Sequence, residues 1–323
     1  MTGEHRLLSQ ANVVIEGRDL IVTRMLKAPR ELVFQTWTEP RHLANWWGPE
    51  GFSITIRSIE VKPGGIWDYV MHGPDGTDYV NRIRYVDVVR PERLDYIHGD
   101  DAADERFRVS VTMADRDGAT ELTMRMTFPS AEELQYTVEK YGAAEGAKST
   151  LSRLAQALDA FDAATLKLTR AFDAPRELVF RAWTDPEHLK RWWGPKDFVL
   201  DVMAFDLRPD GAFHYRLTHP DGTVMWAKFR FLDIASPSKL VFVNSFSDAA
   251  GSVARAPFSA QYPLEVMNLV TFAEANGRTI VTMQSAPIYA SEEEAEFFRS
   301  MHPSMQQGFG TAFDQLADHL AAM

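Results

Sequence analysis

From Trp67 to His72 the side chains alternate, with Trp67, Tyr69 and Met71 set against Asp68, Val70 and His72. A period of two places each set on one face of a strand, so this run predicts a strand with one buried and one wet face. The same pattern returns as Phe213, Tyr215 and Leu217 against His214, Arg216 and Thr218. A following strand presents Tyr79, Asn81, Ile83 and Tyr85 on one face; its counterpart presents Met225, Ala227, Phe229 and Phe231. Further strands are expected at 20–26, 94–98, 107–113 and 122–128, and at 166–172. The period then changes. Leu151, Leu154 and Leu158 recur at helical spacing, as do Phe309, Phe313, Leu316 and Leu320, predicting a long amphipathic helix at the end of each half. Ser130 with Glu133, and Ser291 with Glu294, are capping boxes that start a helix just before each of these.

The halves are copies. Ala28-Pro29-Arg30-Glu31-Leu32-Val33-Phe34 and Trp46-Trp47-Gly48-Pro49 both return 146 residues later, and 16 of the 24 positions in 26–49 are identical to their counterparts. A repeat of this length is a whole domain rather than a solenoid unit. Pro29 and Pro175 predict a helix opening there. A second short helix runs from Pro40 or Pro186 to the Trp pair, where Gly-Pro stops it. After residue 100 the spacing widens, so the second copy carries about 13 extra residues, placed at 246–263. They are expected to form either a lid or a plain surface loop. The expected organisation is a tail or extra strand at 1–19, one domain at 20–163, and a second at 164–323. The fold class is α+β: in each domain a curved antiparallel sheet wraps around the long C-terminal helix, with two short helices near the N-terminus.

Composition narrows the function classes. The net charge of −11 gives no basic field for nucleic acid. With no cysteine there is no disulfide, thiol nucleophile or cysteine metal site. No run approaches a membrane span, and no secretory signal is visible, so the expected location is cytoplasmic. Nor do the histidines fall at metal-ligand spacing, so no metal and no cofactor is expected. The acidic stretch Asp100, Asp101, Asp104 and Glu105 reads as a solvated loop, and no nucleophile elbow or phosphate loop is present.

These motifs, with Trp37-Thr38-Glu39-Pro40, Pro63-Gly64-Gly65, Gly73-Pro74-Asp75-Gly76, Pro91-Glu92-Arg93-Leu94 and Leu151-Ser152-Arg153-Leu154, give the chain its resemblance to a family. It resembles the helix-grip (START-like, SRPBCC) superfamily, in the branch related to the activator of Hsp90 ATPase (AHSA1-type), in two tandem copies. The resemblance implies a cavity between sheet and long helix. Relatives hold lipids, sterols or polyketides there, and some catalyse cyclisation or hydrolysis. Where the branch often has Gly-Trp at the start of that helix, this chain has Gly146-Ala147 and Gly308-Phe309, implying a wider first cavity than second.

The expected cavity residues follow from the inward faces. In the first domain they are Trp46, Trp67, Tyr69, Tyr79, Asn81, Ile83, Tyr96 and His98; in the second, Trp192, Phe213, Tyr215, Met225, Phe229, Phe242, Asn244 and Phe309. The Trp pairs also fit a plain core plug, and Asn81 a satisfied core amide. The expected function is binding of a small hydrophobic or aromatic ligand without a visible catalytic constellation. The alternatives are a chaperone-associated, stress-response interaction protein of the Hsp90-activator type, and a cyclase or hydrolase working inside the cavity.

Overall fold

The computed structural model describes residues 10–99 and 105–323. Most of the acidic loop, and residues 1–9 of the N-terminal segment, therefore lie outside the described residues. The chain divides into two compact units, Met1–Asp159 and Ala160–Met323.

In the first unit the order is β1 (Asn12–Glu16), β2 (Asp19–Leu26), α1 (Arg30–Thr38), α2 (Pro40–Trp46), β3 (Ser53–Ile59), β4 (Ile66–His72), β5 (Asp78–Val89), β6 (Arg93–Gly99), β7 (Phe107–Arg116), β8 (Ala119–Thr127), α3 (Ala131–Tyr141) and α4 (Ala143–Ala163). The second repeats it from β9 (Leu166–Phe172), α5 (Arg176–Thr184) and α6 (Pro186–Trp192) through β10 (Val199–Phe205), β11 (Ala212–Thr218), β12 (Val224–Ala235), β13 (Lys239–Phe246), β14 (Val266–Ala275) and β15 (Arg278–Pro287) to α7 (Glu292–Ser300) and α8 (His302–Ala321). Each sheet is an antiparallel meander whose last strand returns beside the strand that precedes the helix pair, β8 beside β2 and β15 beside β9, in the orders β1-β2-β8-β7-β6-β5-β4-β3 and β10-β11-β12-β13-β14-β15-β9. The stretch between the two copies is short, because α4 continues through Ala163 and β9 begins at Leu166.

Register follows the alternation. Trp67 pairs with Ile83, Tyr69 with Asn81 and Met71 with Tyr79; Phe213, Tyr215 and Leu217 pair with Phe229, Ala227 and Met225. Bulges fall at equivalent places, between Ile56 and Ser58 and between Val202 and Ala204, then between Tyr85 and Asp87 and between Phe231 and Asp233. A bulge bends a strand and raises its twist, which curls both sheets toward their helices. In the second unit Phe313, Leu316 and Leu320 of α8 pack with Phe172, Phe180 and Trp183. In the first, Leu151, Leu154 and Leu158 of α4 are equally buried.

Matched polar contacts lock the helix pairs. Trp46 Nε1 donates to Thr36 O at 3.0 Å, and Trp192 Nε1 to Ala182 O at 2.9 Å. Thr120 and Thr279, both fully buried, donate to Ala28 O and Ala174 O at 2.6 and 2.7 Å. A buried hydroxyl left without such a partner costs about 1–3 kcal/mol, so these bonds hold the chain where β2 and β9 turn into their helices. Ser130 Oγ accepts from Glu133 N, and the Ser291–Glu294 box has both of its reciprocal bonds. Among the described residues no helix is long and apolar enough to cross a membrane.

Candidate functional site

Between the inner face of β11–β13 and α8, the second unit holds a half-open cavity of about 330 Å³. Besides the Trp193-Gly194-Pro195 turn, three groups of residues build it. From the sheet come Tyr215, Leu217, Met225, Ala227 and Asn244. From α8 come Met305, Gly308, Phe309 and Ala312, which share one helix face by their spacing. The third group borders the open side: Phe246 at the end of β13, with Phe258 and Tyr262 from the inserted segment. Their rings form an edge-to-face triad with centroids 5.3–5.8 Å apart. Phe258 nonetheless stays 55% exposed.

The inserted segment is fastened rather than loose. Ser247 and Val253 form an isolated bridge, and the Asp248 carboxylate takes the backbone N–H of Ala250 and Ser252 at 2.9 Å. Arg255 donates to the carbonyls of Ala260 and Tyr262 and to the Glu294 carboxylate. Gln261 reaches Glu293 at 2.6 Å. The segment 246–263 thus contributes Phe246, Phe258 and Tyr262 to the cavity wall.

The Trp pairs split their roles. Trp46 and Trp192, expected in the cavities, are instead plugs within the helix pairs, which is the correction their buried N–H bonds to α1 and α5 require. Each is followed by a residue that has left helical geometry, with ψ of 129° at Trp47 and 121° at Trp193. That turn sends the second indole to the sheet. Trp193 lines the cavity and donates to Tyr215 Oη at 3.0 Å, while Trp47 packs on Trp67 at 5.0 Å. Gly194 makes the turn possible: its φ is +117°, and a Cβ there would come within 3.0 Å of Leu217.

Phe213, Phe229 and Phe242 also need correction. They face inward but are not cavity wall, because their rings fill the space they were expected to line. Phe229 stacks on Phe242 at 4.1 Å, Phe213 stacks on Tyr215 at 4.5 Å, and all three are buried in the core. Tyr215, Met225, Asn244 and Phe309 do line the cavity. Trp193, Phe258 and Tyr262 were missed as site residues. The duplicated Trp-Trp and the aromatic pair within the insertion were their only signals.

In the first unit, Trp67, Tyr69, Ile83 and Tyr96 form a buried inner face, with Trp67 stacked on Tyr69 at 4.4 Å. Tyr79, at the register of Met225, is 43% exposed, its ring 6.2 Å from Phe52, because it stands near the open end of β5. Asn81 is half-buried and donates to Tyr79 O at 2.9 Å. His98 stacks on Phe107 and brings Nε2 to 3.4 Å from Tyr69 Oη.

The phenols inside both sheets are neutral. Burial raises Tyr69, Tyr96 and Tyr215 well above the ordinary phenol value, with the Trp193 bond offsetting part of the rise at Tyr215. Burial also pushes Tyr262 up to about 12. These groups serve as hydrogen-bond partners and not as bases. A row with the order of a hydrolytic relay does occur on the outer face of the first sheet. There His72 lies 2.9 Å from Thr55 Oγ1 and 2.7 Å from Asp78 Oδ1. His72 and Asp78 are 37% and 63% exposed, so water competes for each bond, and the row reads as surface hydrogen bonding.

Several solved structures are similar to about half of this chain. One is protein Ms6760 of Mycobacterium smegmatis, 29% identical, covering 46% of this chain and 97% of that one, with a TM-score of 0.43. Another, from Arthrobacter aurescens, is 26% identical over 50% of this chain and 88% of its own, also at 0.43. An AHSA1 protein from Silicibacter pomeroyi is 18% identical over 49% and 98%, at 0.39. A search of curated proteins gives no match. The model of the activator of Hsp90 ATPase homolog 1-like proteins matches residues 27–159 and again 173–321. The chain belongs to that family and carries its domain twice.

Proposed function

We propose that the second unit binds a small, largely apolar molecule in the cavity between β11–β13 and α8. The observation that carries this reading is a half-open pocket of about 330 Å³ walled by aromatic and methionine side chains and bordered by a fastened arm. That volume lies at the lower end of the ~300–1,000 Å³ typical of ligand pockets. Apolar burial at about 25 cal/mol per Å² supplies the affinity, and the few polar groups set orientation. The neutral phenols favour binding over acid–base chemistry.

Gly308 offers a clean test, since a Cβ built there meets nothing within 4 Å. Gly308→Leu should fill the space and improve helix propensity by about 0.5–1 kcal/mol. A neutral fluorescent probe, N-phenyl-1-naphthylamine, should bind the full chain saturably, and this variant should lose that binding while melting no lower. Equal binding to both proteins overturns the reading.

The family match supports a second reading, a chaperone-associated role. It expects the ATPase rate of purified Hsp90 to change when this chain is added. An unchanged rate removes it.

A further inference from the structure

The polar groups of the second cavity restrict what it accepts, an inference that rests on the binding reading above. In the first unit His98 crosses two strands to Tyr69, and imidazole and hydroxyl meet at 3.4 Å. Asn81 and Ile83 stand at those registers on the strand between them. The second unit has Asn244 and Tyr215 at the matching places, with Ala227 and Phe229 between. An amide is shorter than an imidazole, and Ala227 offers only a methyl where the first unit has Asn81. A gap is left between Tyr215 and Asn244, and Tyr215, Ala227 and Asn244 all line the cavity.

Both sides of that gap present donors. The Trp193 indole N–H can only donate, so Tyr215 Oη accepts it at 3.0 Å and keeps its own proton for another partner. Asn244 Oδ1 is buried without a partner among the described residues, so the planar amide turns its NH2 to the accessible side. No Lys, Arg, His, Asp or Glu is among the residues lining the cavity, so a charged guest meets no counterion there. What the gap lacks is a neutral acceptor.

We propose that the second unit selects an uncharged carbonyl compound of one or two rings: a ketone, a quinone or a lactone. Its oxygen takes the Tyr215 O–H on one lone pair and the Asn244 Nδ2–H on the other, while the rings lie against the apolar wall. In the first unit His98 closes the same contact and leaves no such place.

Two compounds of nearly one shape test this on the full chain. They are 2-acetylnaphthalene and 2-isopropenylnaphthalene, in which a CH2 group replaces the carbonyl oxygen. Each is followed by displacement of N-phenyl-1-naphthylamine. A cavity without donors prefers the alkene, because the ketone gives up its hydrogen bonds to water on entry. With both donors in place the ketone should bind about tenfold more tightly than the alkene, the size of one net buried hydrogen bond. The anion 2-naphthoate should bind more weakly than the ketone. Asn244→Leu should weaken the ketone about tenfold and leave the alkene no weaker. Asn244→His, which restores the side chain of the first unit, should also abolish the preference for the ketone.

Equal affinity for ketone and alkene, an alkene preferred over the ketone, or a naphthoate as tight as the ketone each overturns the proposal. So does an amine probe that binds while neither compound displaces it. The comparison in the unaltered protein does not depend on how either variant folds. If the amine itself does not bind, or binds Gly308→Leu unchanged, the binding reading fails instead.

Discussion

The two units fasten their long helices to the same loop with different chemistry. In the first, Arg153 of α4 donates to the carbonyls of Gly48, Pro49 and Phe52, each at 3.0 Å. In the second, Gln315 of α8 takes the carbonyls of Trp192 and Gly194 at 3.1 and 3.2 Å. The side chains changed and the geometry stayed. Inside the sheets the reverse holds, because replacing His98 by Asn244 opens a contact that the first unit closes. Within one chain, geometry kept through a change of residue marks what the fold requires. Geometry altered at a matched register marks where the units have separate tasks.

The shared scaffold gives the largest expected effect. Trp46→Ala and Trp192→Ala should each cost about 3–5 kcal/mol in chemical denaturation, by similar amounts. If one is tolerated, the helix-pair plug is not common architecture. The fastenings come next. Arg153→Ala should remove about 2 kcal/mol, and Gln315→Ala about 1 kcal/mol, because hydrogen bonds from a charged donor are worth more than neutral ones. Arg153→Gln should recover part of the loss; equal losses for Arg153→Ala and Gln315→Ala would erase the distinction.

The smallest effect is a pH response confined to the second unit. His188 Nδ1 and His319 Nε2 are 3.0 Å apart, joining α6 to α8. Burial, with His188 and Arg191 nearby, lowers the pKa of His319 below the ordinary 6.5. The folded unit thus holds this proton less tightly than the unfolded chain. Stability contributed here is present above pH 6.5 and is lost as the pH falls through and below that value. His319→Gln should flatten the acid side of the stability curve. The first unit has Ala157 at that position and should show no counterpart; an unchanged curve in His319→Gln would assign the acid response to other groups.

Much of this architecture was legible in the sequence, because period-two alternation, caps and turn glycines are local signals that both copies carry. The site was legible only in part. Tyr215, Met225, Asn244 and Phe309 were read from strand and helix faces. Phe213, Phe229 and Phe242 share the inward direction, and only ring-to-ring packing separates filled space from empty. Trp46 and Trp47 differ by one residue in sequence, and a backbone ψ value decides which indole meets the sheet. The Thr55–His72–Asp78 row required the register of β3, β4 and β5, which spacing along the chain does not supply.

The capping carboxylate of α7 has a consequence for how such a domain acquires an arm beside its cavity. One oxygen of Glu294 accepts from the Ser291 backbone N–H, while the other holds Arg255. A residue whose usual role is to close a helix end is also the mooring of the arm. Any copy of this domain with a Ser-x-x-Glu box at that helix therefore has an anchorage ready, and an insertion that brings one arginine to it gains a tether. Adding a fastened arm here needs a loop and a cation, with no change to the helix that receives them.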